Sequence, residues 1–225
     1  LKYQAQTSPF PLMVDVKKAK GSYIYDKSGK KYLDFVAGVS ACSVGHCNKK
    51  VISAINKQAK KYLHVMVYGE FITDAALELA KIISKNIPAG LTTTYFTNSG
   101  TEAIEASIKL ARRYTGKKKI IGAEKAYHGS TLGSLTLMGI EEKKKPFEPL
   151  IPMVDFIKYN SINDISKIDS DTACVVLETI QGSAGFIKPK NNYLNLVKKQ
   201  CLKVGALLIL DEIQTGIGRT GKLFG

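Results

Sequence analysis

The sequence predicts an α/β domain built around a mostly parallel sheet flanked by helices. Two observations carry this. Ala173 to Leu177 (ACVVL) and Ala206 to Leu210 (ALLIL) are unbroken apolar runs of strand length, as expected of strands covered on both faces. Around them, strand-like segments alternate with helical periods, the pattern of parallel strands joined by crossover helices. The chain has 225 residues, 44% of them hydrophobic, enough for one sizeable core or for one core plus a small lobe.

Taken in order, residues 22–36 (SYIYDKSGKKYLDFV) read as a β-hairpin, with alternating Tyr23, Tyr25 and Tyr32 around a Lys-Ser-Gly turn at 27–29. Residues 49–63 read as an amphipathic helix with Val51, Ile52, Ile55, Ala59 and Leu63 on one face. A second helix spans 73–86, capped by Thr73 and closed before Pro88. Thr93 to Phe96, β-branched and aromatic, reads as a short strand. Glu102 to Tyr114 is helical, Lys119 to Gly122 is a strand, and Tyr193 to Val204 is a helix ended by Gly205. There are no repeats and no low-complexity tract.

Composition narrows the function classes. No apolar run approaches the roughly 20 residues of a membrane span, so no membrane partner is expected. The opening LKYQAQTSPFPL lacks the basic-then-apolar order of a signal peptide. Cys42, Cys47, Cys174 and Cys201 form no CxxC pair, which points to a reducing, cytoplasmic compartment and to no metal site. The net charge is +14, so nucleic acid must be weighed as a partner. The lysines are scattered in short groups without aromatic interleaving, and Arg112, Arg113 and Arg219 are the only arginines. Nucleic-acid readers favour arginine, and solvated lysines are the simpler reading.

In parallel sheets ligands gather at the carboxyl ends of strands. Four loops fall there. TNSGTEA (97–103) joins a strand to a helix, and Ser99, Gly100 and Thr101 offer N–H groups, hydroxyls and a helix N-terminus to a phosphate. The same letters also make a plain capping box, Ser99 with Glu102. AYHGST (126–131) offers Tyr127 or His128 to stack on a flat ring. LETIQGSAG (177–185) places Glu178 at the mouth of the sheet. LLILDEIQTGIGRTG (207–221) places Asp211 at the end of a buried strand, where a carboxylate suits a pyridinium nitrogen or a metal ion. Gly216, Gly218 and Gly221 match GxGxxG, and Gly216 to Lys222 matches most of a P-loop. However, DEIQT separates the glycines from their strand, and Leu223 stands where Ser or Thr would hold magnesium.

Together with KYLDFVAGVSACSVGH (31–46), these four loops resemble the class III (ornithine, acetylornithine and ω-amino acid type) aminotransferases of the pyridoxal phosphate (PLP)-dependent fold type I. The resemblance implies a partial large PLP-binding domain over 71–225. Residues 1–70 would be an N-terminal segment of a smaller α+β domain with its linker helix. It implies pyridoxal 5'-phosphate as cofactor, with Ser99, Gly100 and Thr101 on the phosphate and Tyr127 stacked on the ring beside His128. Asp211 would pair with the ring nitrogen, Ile213 pack on the ring face, Gln214 contact the phenolic oxygen side, and Glu178 place Gln214 or the substrate. It also implies a Schiff-base lysine a few tens of residues past the GRTG loop, beyond Gly225. Lys222 does not match that lysine's setting, so no catalytic residue is expected within the chain.

The implied reaction moves an amino group from an ω-amine or amino acid donor (ornithine, acetylornithine, 4-aminobutyrate or lysine-like) to a 2-oxo acid such as 2-oxoglutarate. A cytoplasmic homodimer is implied too. Two departures bear on the donor: Ser130 replaces the arginine often found there, and Ser183 replaces a glutamate. A hydroxyl does not substitute for a bidentate guanidinium. The alternatives from other classes are a nucleotide or phosphate binder using the glycine loop at 216–222, and a basic nucleic-acid binder.

Overall fold

The computed structural model describes residues 2–88 and 90–225. Contacts divide it into two units, Leu1–Asp74 and Ala75–Gly225.

The first unit holds a three-stranded antiparallel sheet, β1 (Val16–Lys20), β2 (Tyr23–Asp26) and β3 (Lys31–Leu33). The expected hairpin is β2–β3. Its turn is set by Asp26, whose Oδ1 accepts the Ser28 hydroxyl at 2.6 Å and the Lys30 N–H at 2.9 Å. β1 is an addition: VKKAK has no apolar alternation, and it pairs at the edge with a bulge between Val16 and Lys18. The sequence shows no aromatic interleaving, yet strand pairing supplies some. Lys18 lies over the Tyr25 ring at 4.9 Å and Lys31 over Tyr23 at 3.7 Å. Helix α1 (Lys49–Ala59) starts at Asn48, whose side chain accepts the N–H groups of Lys50 and Val51. It ends four residues short of the predicted Leu63. Its apolar face is in place but uncovered, with Val51, Ile52 and Ile55 all exposed.

Helix α2 (Asp74–Asn86) leads into the second unit and also buries no residue. Next come α3 (Gly100–Thr115), β4 (Lys119–Ala123), α4 (Leu132–Thr136), α5 (Glu141–Lys144), β5 (Val154–Ile157), β6 (Thr172–Glu178), α6 (Tyr193–Val204) and β7 (Leu207–Asp211). The sheet runs β5-β4-β6-β7 and is parallel throughout. All of β6 is buried. Side chains alternate across it: Val175 and Leu177 face α6 through Tyr193, Val197 and Cys201, while Cys174 and Val176 face α3 through Ile104, Ile108 and Ala111. Each such buried Val or Leu stabilises the fold by roughly 1.5–3 kcal/mol. This two-sided cover is why the two apolar runs read as strands.

The strand expected at Thr93 to Phe96 does not form. Residues 91–97 carry no regular structure, and Tyr95 is 80% exposed. Strand propensity reports fit to a paired, half-buried surface; among the described residues no neighbour pairs with 93–96. β5 leaves little trace in the sequence: VDFI is four residues long and follows the irregular stretch 148–153.

Candidate functional site

The carboxyl ends of β4, β6 and β7 meet in one place. β6 ends at Glu178 and β7 at Asp211, and the two carboxylates are register partners on adjacent strands. Both are buried. A carboxylate in such a position must be hydrogen-bonded, and each is.

Asp211 Oδ2 lies 2.7 Å from His128 Nδ1, and Oδ1 accepts the Ile213 N–H at 2.9 Å. His128 is therefore behind the carboxylate, fully enclosed, rather than beside Tyr127 on an open face. Facing the carboxylate, Nδ1 is the ring nitrogen placed to donate, and Nε2 is buried without a protein partner. Each Asp211 oxygen keeps acceptor capacity for one more donor arriving from the loop side.

Glu178 acts as a strap. Oε1 accepts the Tyr127 N–H at 3.1 Å and Oε2 accepts the Gly182 N–H at 2.8 Å, so one side chain joins the loops after β4 and β6. Burial pushes its carboxyl above the ordinary range. The Gly182 and Tyr127 N–H groups and the nearby His128 pull the other way, and the Asp211 carboxylate adds to the rise. The backbone behind it is clamped by the Tyr159 hydroxyl, which donates to the Glu178 and Thr179 carbonyls at 3.1 Å each.

The other expected residues arrive by packing. Ile213 leans on the start of α3, where a methyl added at Gly100 would fall 2.8 Å from Ile213 Cδ1. The Gln214 side chain covers Gly182 so closely that no Cβ fits there. Tyr127 and Ile213 remain 46% and 59% exposed, an aromatic and an aliphatic surface open to a ligand. At α3, Ser99 is the N-cap and its hydroxyl accepts the Glu102 N–H at 3.3 Å, while Glu102 reaches the Asn98 N–H at 2.7 Å. The Ser99 half of the capping box is thus realised, while Glu102 reaches one residue further back, and what the helix start offers an anion is its first N–H groups and dipole. Thr101 is turned elsewhere: its hydroxyl meets those of Thr131 at 2.7 Å and Ser134 at 2.5 Å. Gly129, at φ +129°, lets that turn come so near; a methyl there would strike Thr101 and Ser134.

Sequence reading missed the residues that lock these loops. Glu105 Oε1 accepts the Thr131 hydroxyl at 2.5 Å and the Gly133 N–H at 2.8 Å. Gln181, 1% exposed, donates to the Glu124 carbonyl at 3.0 Å. The Thr179 and Thr215 hydroxyls meet at 2.6 Å. Only the density of Ser and Thr after each strand hinted at them. Residues 213–223, by contrast, form successive turns with no helix to present a phosphate, so the glycine loop lacks the context a P-loop requires.

The arrangement suits a flat cationic ring carrying an anionic arm. It has a buried carboxylate for the ring's charge, two surfaces for its faces and a helix start for the arm. The family model for class-III aminotransferases matches residues 3–225. The chain belongs to the class-III aminotransferases. Within this family it is 43% identical over 218 residues to the acetylornithine aminotransferase of Clostridium acetobutylicum, covering 94% of this chain and 55% of that one. It is 40% identical over 209 residues to the [LysW]-aminoadipate semialdehyde/glutamate semialdehyde transaminase of Sulfurisphaera tokodaii, covering 93% and 54%.

The fold agrees. A transaminase from the marine bacterium Virgibacillus superposes with a TM-score of 0.91 at 28% identity, covering 99% of this chain and 56% of that one. An ornithine aminotransferase from Toxoplasma gondii, whose structure reveals partial occupancy of PLP at its active site, superposes with a TM-score of 0.87 at 31% identity, covering 99% and 54%. This class-III chain is thus a partial fold type I domain, and it spans about half the length of the relatives it matches.

Proposed function

We propose that this chain supplies the cofactor cradle of a PLP-dependent aminotransferase. The observation that carries the proposal is the buried Asp211, held by His128 Nδ1 and the Ile213 N–H at the end of β7. A carboxylate so placed keeps a pyridinium nitrogen protonated. Tyr127 and Ile213 would cover the two ring faces, the start of α3 at Ser99, Gly100 and Thr101 would face the phosphate, and Gln214 would lie toward the phenolic oxygen. Glu178 ties the Tyr127 and Gly182 loops together. When bound, PLP supplies the electron sink for the carbanion formed at the substrate carbon. His128 keeps Asp211 oriented, and the pair sits buried at the ends of β6 and β7.

The whole protein would move an amino group from an ω-amine or amino acid donor to a 2-oxo acid such as 2-oxoglutarate. Names among the relatives support acetylornithine-like and semialdehyde-forming donors. Ser130 puts no cation at the position where an arginine would grip a donor carboxylate. The working form is a cytoplasmic homodimer. The test uses full-length protein, PLP and a panel of amino donors. Visible absorbance of bound PLP, bleached by one donor class and restored by a 2-oxo acid, is the expected result. Protein that stays colourless with PLP present overturns the reading.

A further inference from the structure

A second cluster of reactive groups lies in the first unit. After β3, Asp34 turns its carboxylate inward, 6% exposed. Its Oδ1 accepts the N–H groups of Val36 at 3.0 Å and Ala37 at 2.9 Å, and its Oδ2 lies 2.7 Å from His46 Nε2. The bond to His46, followed by the Ala37 N–H, holds this carboxyl below the usual range. His46 is itself pinned by a two-way backbone bridge to Gly21, at 2.8 and 2.9 Å. Its other ring nitrogen, Nδ1, faces Cys42 Sγ at 3.9 Å. The thiol is held from behind: the Cys42 N–H donates to the Ala37 carbonyl at 2.9 Å, and a methyl at Gly38 would fall 3.2 Å from the sulfur.

These contacts define a direction for a proton. The Asp34 carboxylate fixes hydrogen on His46 Nε2, which leaves the Nδ1 lone pair turned to the thiol. Thiol, imidazole and carboxylate stand in the order that activates a nucleophile. A resting contact of this length tightens when the base is used. We propose that Cys42, His46 and Asp34 form a thiol-exchange site that takes small-molecule disulfides.

In the step, Cys42 Sγ attacks one sulfur of the disulfide and its proton passes to His46 Nδ1. A new S–S bond forms, the reagent's S–S bond breaks, and the departing thiolate takes the proton back from His46. The products are a mixed disulfide on Cys42 and one free thiol. The other cysteines are built-in controls. Cys47 is exposed five residues on. Cys174 and Cys201 are buried, their thiols pushed up to about 12 and about 11 by burial.

The test treats full-length protein with the neutral aromatic disulfide dithiodipyridine, in less than stoichiometric amount, and reads each cysteine by peptide mass spectrometry. Cys42 is expected to react about a hundredfold faster than the more exposed Cys47, the modest end of general-base assistance. Cys174 and Cys201 should stay unmodified. His46→Gln should bring Cys42 to the Cys47 rate or below, with Asp34→Asn intermediate. Cys47 reacting as fast as Cys42 in the wild type overturns the proposal, as does an unchanged Cys42 rate in folded His46→Gln. Should the variants fail to fold, the wild-type ranking decides alone.

Discussion

Residues 104–211 and the stretch before them are built differently. From Ile104 onward the chain contains every buried hydrophobic residue described, with β4 and β6 enclosed by α3 on one side and α6 on the other. Before Ile104 no described residue is buried, although α1 and α2 have the helical apolar periodicity of core-facing elements. The difference teaches that local pattern and tertiary cover are separate conditions. The first makes a helix, the second makes it contribute stability, because most helical stability comes from packing the apolar face.

That contrast can be broken by substitution. The largest effect is expected at Leu177→Ala, fully buried near the carboxyl end of β6, about 2–5 kcal/mol of lost stability by urea denaturation, from transfer plus the cavity left behind. A loss under about 1 kcal/mol would mean β6 is not the core strand. A smaller effect is expected at Glu178→Gln. The amide offers one acceptor where two N–H groups converge, so one of Tyr127 N–H or Gly182 N–H is stranded, at about 1–3 kcal/mol.

Glu178→Gln also carries a pH signature. Because folding raises the Glu178 pKa, its contribution is fully present below the unfolded value near 4.5 and is lost as pH rises through the folded value. Wild type should therefore gain on Glu178→Gln as pH falls from 7 toward 4.5, read as the difference in urea midpoints. A gain in the opposite direction would refute the assigned burial. The smallest effect is expected at Ile55→Ala on α1, 60% exposed, within about 0.5 kcal/mol in this chain. A loss above about 2 kcal/mol would show that α1 is covered after all.

Much of the second unit was legible in the sequence because two-sided burial leaves an unmistakable trace. ACVVL and ALLIL became β6 and β7, each within a residue or two, and Gly205 stops α6 in the left-handed conformation as expected. Thr93 to Phe96 failed because β-branched residues describe a surface that wants pairing, not the presence of a partner. At the site, the four loops and their order were readable, and the structure brings Tyr127, His128, Glu178, Asp211, Ile213 and Gln214 together. What was not readable is who holds whom. That His128 backs Asp211, that Glu178 bridges two loops, and that Thr101 turns to Thr131 and Ser134 depend on contacts across 30 to 83 residues of chain, which no local pattern records.

The central claim, that the carboxylate at the end of β7 is the anchor for PLP, is tested most directly by titrating full-length protein with PLP and following its visible absorbance. Wild type is compared with Asp211→Ala and with Asp155→Ala, which removes a half-exposed carboxylate paired with Lys119 near the opposite end of the sheet. The account predicts saturable binding in wild type and in Asp155→Ala. In Asp211→Ala affinity should fall by about two decades or more, the order expected when one partner of a buried charge pair is deleted. Equal PLP affinity in Asp211→Ala and wild type would contradict it.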